Sequence, residues 1–112
     1  MASKSEVLDF LKEFKAQAAT GGMVFVPRRR NREDLDRLGL SVRDAKAMIL
    51  GLTERDYCRG PETDEDGSAG EIWFFGESFN GSAIYIKLKL DDTAAKCISF
   101  HCADYPMRFP YR

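Results

Sequence analysis

A phenol, two ammonium groups and an imidazole are spaced in this chain so that they could share one surface. In Ser82-Ala83-Ile84-Tyr85-Ile86-Lys87-Leu88-Lys89-Leu90, apolar and polar residues alternate without a break. Successive side chains of a strand point to opposite faces. Ile84, Ile86, Leu88 and Leu90 therefore read as the core side of a half-buried strand. Tyr85, Lys87 and Lys89 line the other side. Such a row can hold a phosphodiester and stabilise the charge that develops as it reacts. The same lysines would also suit a solvated strand face guarded against edge pairing. What separates the two readings is whether other reactive groups converge there. The chain has a single histidine, His101, and imidazole is the side chain best suited to move a proton near neutral pH.

Two strands must bring these groups together. The spacing predicts strands over Ile72–Glu77, Ser82–Leu90 and Lys96–Cys102. Asn80-Gly81 is a strong type I′ hairpin signal. It pairs Phe79 with Ser82, Trp73 with Leu88, Phe75 with Ile86 and Phe74 with Lys87. The second turn, Asp91-Asp92-Thr93, offers two registers. A four-residue loop sets Leu88 opposite Cys97 and Lys87 opposite Ile98, which mixes the faces. A three-residue loop sets Ile86 opposite Ile98, Tyr85 opposite Ser99, Lys87 opposite Cys97 and Ala83 opposite His101. A one-residue slip flips a whole strand, so the face-consistent register is expected. His101 then lies on the side of Tyr85 and Lys87.

The preceding half reads as helical. Ser5 is a candidate cap for a helix to about Thr20, with Val7, Leu8, Phe10, Leu11, Phe14 and Ala18 on one stripe. Gly21-Gly22 ends it, and Met23-Val24-Phe25-Val26 is a short edge strand or extended link stopped by Pro27. Asn31 is a candidate cap for a short turn ended by Gly39. Ser41-x-x-Asp44 opens a further helix over Val42–Leu50 with Val42, Ala45, Met48 and Ile49 as its buried stripe. Residues 60–70 lack apolar periodicity and read as a mobile acidic loop. The tail from about 103 carries two prolines and several aromatics, and cannot continue as a regular strand. The fold class is α+β: N-terminal helices packed on an antiparallel sheet with a C-terminal three-stranded meander.

The chain has 112 residues, which suits a single domain with one core. With 44% hydrophobic and 31% charged residues it is an ordinary globular composition. No apolar run is long enough to span a membrane. The N-terminus lacks a signal-peptide core. Cys58, Cys97 and Cys102 form no C-x-x-C pair, so neither a disulfide framework nor a zinc site is expected. Reduced thiols fit a cytoplasmic protein. The net charge is −1, which gives no global attraction for nucleic acid, but the charge is unevenly spread. Arg28, Arg29, Arg30 and Arg32 cluster in five positions, whereas Glu62-Thr63-Asp64-Glu65-Asp66 is strongly acidic. The arginines could grip phosphates, face an acidic partner, or form a solvated helix start.

The segment Ile49-Leu50-Gly51-Leu52-Thr53-Glu54-Arg55-Asp56-Tyr57 resembles the I-x-G-L-[ST]-E-x-D-[FY] segment of the MqsR family of bacterial toxins. The likeness continues through Ile72-Trp73, Ile84-Tyr85-Ile86-Lys87 and Ile98-Ser99-Phe100, covering roughly residues 34 to 101. The resemblance implies a RelE-like fold and an mRNA interferase that cuts single-stranded RNA without metal or cofactor. It also implies a cognate antitoxin, zinc-binding with a helix-turn-helix. Among the family's active positions, its tyrosine falls on Tyr85. A family lysine falls on Arg59, a glutamine on Phe74, and a second lysine on His101. In the mechanism this implies, His101 moves the proton, Arg59 and Lys87 clamp the phosphate, and Lys89 assists. Tyr85 bonds the phosphate or stacks on a base, and Phe74 is a base-stacking platform. The alternative is a catalytically silent member that binds RNA or a partner only.

Overall fold

The computed structural model describes residues 1–112. Helix α1 (Lys4–Gly21) opens with a capping box in which Ser3 and Glu6 each bond the other's backbone N–H. Ser3, rather than Ser5, is the cap, because only Ser3 has its reciprocal carboxylate three residues on. Val7, Phe10, Leu11 and Phe14 are buried against the sheet. Leu8 lies off that stripe, 45% exposed. Phe10 stacks on Trp73 with ring centroids 4.5 Å apart. This is the offset geometry aromatic pairs prefer, and it ties helix to sheet.

The sheet has five strands: β1 (Met23–Phe25), β2 (Tyr57–Thr63), β3 (Glu71–Phe79), β4 (Ser82–Leu90) and β5 (Ala95–Cys102). Their order is β1-β5-β4-β3-β2, with β1 parallel to β5 and every other pair antiparallel. The α+β class holds, and the expected meander is its centre. Two strands flank that centre. Tyr57–Thr63 pairs with β3 instead of leading into an unstructured loop, with register shifts on either side of Arg59. These shifts are why the strand shows no alternation to read.

The β3–β4 register is the one the Asn80-Gly81 turn dictates, with Phe79 opposite Ser82 and Phe74 opposite Lys87. Positive φ at Asn80 (48°) and Gly81 (80°) supplies the type I′ twist. The β4–β5 register differs from both simple alternatives. Leu88 pairs with Cys97, as a four-residue loop requires, but the pairing then shifts so that Lys87 meets Ser99, Ile86 meets Phe100 and Tyr85 meets His101. Ile98 is the extra residue. A β-bulge at this point absorbs the one-residue mismatch and returns every side chain to its proper face. Ile84, Ile86, Leu88, Cys97 and Phe100 are all fully buried as a result.

Helices α2 (Arg29–Leu38) and α3 (Val42–Leu50) follow β1. Asn31 is not a cap: it is fully buried inside α2. Its Nδ2 donates to the carbonyls of Val26 and Ile98, and its Oδ1 accepts the N–H of Phe100, all at 3.0 Å. β1 ends at Phe25, opposite Cys97. Beyond that point Asn31 substitutes for the missing strand, since a carboxamide presents the same donor and acceptor as a peptide. Asp34 extends the substitution by accepting the Cys102 N–H at 2.8 Å, and Arg30 donates to the Cys102 carbonyl at 3.1 Å. Side chains of α2 thus occupy the outer edge of β5 where β1 stops short. In α3 the Ser41–Asp44 capping box forms. Ala45 and Ile49 are buried, but Val42 in the first turn is 41% exposed.

Candidate functional site

The side of the sheet away from α1 holds a cleft of about 700 Å³. It is lined by Arg59, Phe74, Tyr85 and His101, one from each of β2, β3, β4 and β5, and by residues 103–108 of the tail. Tyr85 and His101 are direct cross-strand partners, and their rings stack with centroids 5.2 Å apart and planes 26° apart. The histidine's Nδ1 lies 2.9 Å from the Cys102 carbonyl. A carbonyl can only accept, so Nδ1 carries the proton in that bond. In the neutral ring, Nε2 is then the nitrogen that keeps its lone pair. Burial pushes the Tyr85 phenol up, and the neighbouring Arg59 partly offsets the shift. The phenol therefore stays neutral at physiological pH.

Arg59 sits opposite Phe74 in the β2–β3 ladder. Its guanidinium lies 3.7 Å from the Phe74 ring centroid, a close cation–π stack. Glu62 bonds its Nη1. Phe74 is 95% buried between Arg59 and Tyr85. It is therefore no free platform for a base; it is the seat on which Arg59 rests. A planar cation is here matched with a planar ring. Lys87 is half-buried, with Nζ 5.8 Å from the Phe74 centroid, beside the cleft rather than in its lining.

Lys89 does not join them. It shares their face but is only 5% exposed. Its Nζ donates to Asp64 Oδ2 at 2.7 Å and Ser68 Oγ at 2.5 Å. The acidic segment folds over it, and the ammonium in turn holds the Asp64 carboxyl below its ordinary range. The same bonds tie down residues 64–68. Of the arginine cluster, Arg30 is committed to structure, with both oxygens of Asp104 at 2.7 Å in a bidentate fork. Arg29 pairs with Glu33. Arg28 and Arg32 are exposed and form no ion pair.

The tail was missing from the sequence-based site, and it forms one wall. Met107 and Phe109 lie over Gly76, where a Cβ would come within 2.8 and 2.7 Å of their side chains. Gly76 faces Tyr85 across the ladder, so its missing side chain makes room for the tail on the cleft side. A glycine among bulky β3 residues was the one signal of a close approach there. Tyr111 then stacks on Tyr57 and donates to the Ala2 carbonyl. Cys58 also lines the cleft, but burial pushes its thiol up to about 11, so it stands as a neutral thiol rather than a nucleophile. No group of three or more His, Cys, Asp or Glu side chains is arranged to hold a metal ion. No helix is long and apolar enough to cross a membrane.

No curated protein and no solved structure matches the chain. The family model described as motility quorum-sensing regulator, toxin of MqsA, matches residues 9–102. That span runs from α1 to the last residue of β5 and includes Arg59, Tyr85 and His101, so the chain belongs to the MqsR family of toxins, whose antitoxin partner is MqsA.

Proposed function

We propose that this toxin is an endoribonuclease that cuts single-stranded RNA in the cytoplasm and is silenced by its antitoxin, of the zinc-binding, helix-turn-helix kind. The observation that carries the reading is the Tyr85–His101 pair beside Arg59, with the imidazole's Nε2 left unspent. RNA contains its own nucleophile, so the protein need only move protons and steady charge. In the proposed reaction Nε2 takes the 2′-OH proton as the 2′-oxygen bonds to phosphorus. The bond from phosphorus to the 5′-oxygen breaks, and the neutral Tyr85 phenol gives that oxygen its proton. The imidazolium then returns a proton to the phenolate, restoring both groups. Arg59 and Lys87 neutralise the phosphate oxygens. The products are a 2′,3′-cyclic phosphate and a 5′-OH end. The role proposed for His101 is one that a lysine at this position would fill poorly at neutral pH.

The test is cleavage of an end-labelled single-stranded RNA with mapping of both ends. His101→Gln should lower the rate about 10²- to 10⁴-fold, the worth of one placed acid or base. Unchanged cleavage would remove His101 from the mechanism. A second reading, a silent member that binds RNA or a partner only, draws on the Arg59–Glu62 pair, which occupies the cation a phosphate would need. Growth arrest by the wild type with no RNA cut in vitro would select it.

A further inference from the structure

The tail is fixed at three points. Arg30 forks onto Asp104, Met107 and Phe109 seat over Gly76, and Tyr111 bonds Ala2 while Arg112 reaches Asp56. Between the first two anchors lie Tyr105 and Pro106. Tyr105 is 82% exposed, yet it lines the cleft that holds Tyr85 and His101. The residue before a proline is restricted to extended backbone. The phenol ring is thus carried on a segment held at both ends and limited in its own torsions. Arg108, exposed and without an ion pair, lines the same wall. This wall lies beyond the family match, which stops at residue 102.

We propose that the tail builds a nucleobase subsite in which Tyr105 stacks the base next to the scissile phosphate, with Met107 as its apolar floor and Arg108 meeting the adjoining phosphate. The inference rests on the RNA-cleaving reading above. Every base has a π face, and single-stranded RNA is commonly held by stacking its splayed bases on aromatic side chains. The cleft's volume, about 700 Å³, lies within the range of small-ligand sites. Its rim supplies the cations a polyanion needs, in Arg59, Lys87 and Arg108. A preset ring loses little freedom when a base settles on it, which is why a held tail serves better than a loose one.

The probe is a fluorescein-labelled RNA oligonucleotide made uncleavable by one 2′-deoxy sugar, followed by anisotropy. Tyr105→Ala should weaken binding about 5- to 100-fold, the loss expected for one base–aromatic stack. Tyr105→Trp should restore it. An abasic nucleotide beside the scissile position should erase the difference between wild type and Tyr105→Ala. Since Tyr105 is exposed, the substitution leaves the core untouched. Equal binding by wild type and Tyr105→Ala, with the wild type still cutting RNA, overturns the subsite alone. A wild type that neither binds nor cuts RNA overturns the subsite together with the reading beneath it.

Discussion

Arg59 is the residue whose chemistry is most constrained by its neighbours. Phe74 fixes the plane of its guanidinium, and Glu62 occupies one edge of the fork. An exposed ion pair is worth at most about 1 kcal/mol, so a phosphate can displace Glu62, but it must do so against a like charge. Glu62→Gln removes that competitor while leaving the Phe74 seat intact. RNA affinity should rise about 2- to 5-fold, a modest gain because the pair it replaces is solvated. The uncleavable oligonucleotide measures this, and equal or weaker binding by Glu62→Gln would show that the carboxylate does not compete with the RNA. Motif order singles out Arg59 and Tyr85, and the fold brings both to one cleft. The Arg59–Phe74 stack was not legible in the sequence, because the register shifts of β2 alone bring those two positions opposite each other.

The element that most determines the site's shape is the bulged strand β5. Alternation and the Asn80-Gly81 turn made the β3–β4 hairpin readable to the residue. The next hairpin defeated the same logic. Both unbroken registers leave Tyr85 opposite the wrong partner, and only an extra residue at Ile98 sets His101 against it. Periodicity cannot announce a bulge, since the alternation on either side of it is intact. The residue that holds the bulge, Asn31, is of a type that also caps helices, and sequence alone favours the local use over one 67 residues away. Asn31→Ala would strand the buried N–H of Phe100 and leave the part-buried carbonyls of Ile98 and Val26 without their donor. Stability should fall by about 3 kcal/mol, given roughly 1–3 kcal/mol for each buried group left unsatisfied. The midpoint of urea unfolding reports this at constant slope. A loss below about 1 kcal/mol would mean that water or β5 itself can replace the amide. Because His101 is three residues from Ile98 on the same strand, the folded variant should also lose catalytic rate.

At the scale of the whole molecule, charge is divided between holding the fold and meeting a ligand. The net charge of −1 hides this division. Arg30 is committed to Asp104 and Lys89 to Asp64, whereas Arg28 and Arg32 remain open to solvent and Arg29 has only an exposed partner. Replacing Arg28, Arg29 and Arg32 together by Gln should flatten the salt dependence of RNA affinity, by about 0.7 in logarithmic slope for each phosphate that these arginines neutralise. An unchanged slope would assign these arginines to the antitoxin or to solvent. The committed pairs have a different signature. Asp64 is held below its ordinary range by Lys89, Asp104 by Arg30, and Asp91 by Lys96 and Thr93. A carboxyl whose folded pKa is depressed adds stability above its unfolded pKa, near 4, and loses it as pH falls through the folded value. Stability should therefore be level from neutral pH to about 5 and fall progressively below that. Three clamps loosen together along that limb: the turn before β5, the acidic segment over Lys89, and the root of the tail. Asp104→Asn sets the tail's clamp apart from the others, because its loss is then present at every pH. In urea titrations between pH 7 and pH 3, Asp104→Asn should lower stability at pH 7 and converge on the wild type in acid. A constant gap down to pH 3 would show that the Arg30–Asp104 pair contributes nothing through its charge.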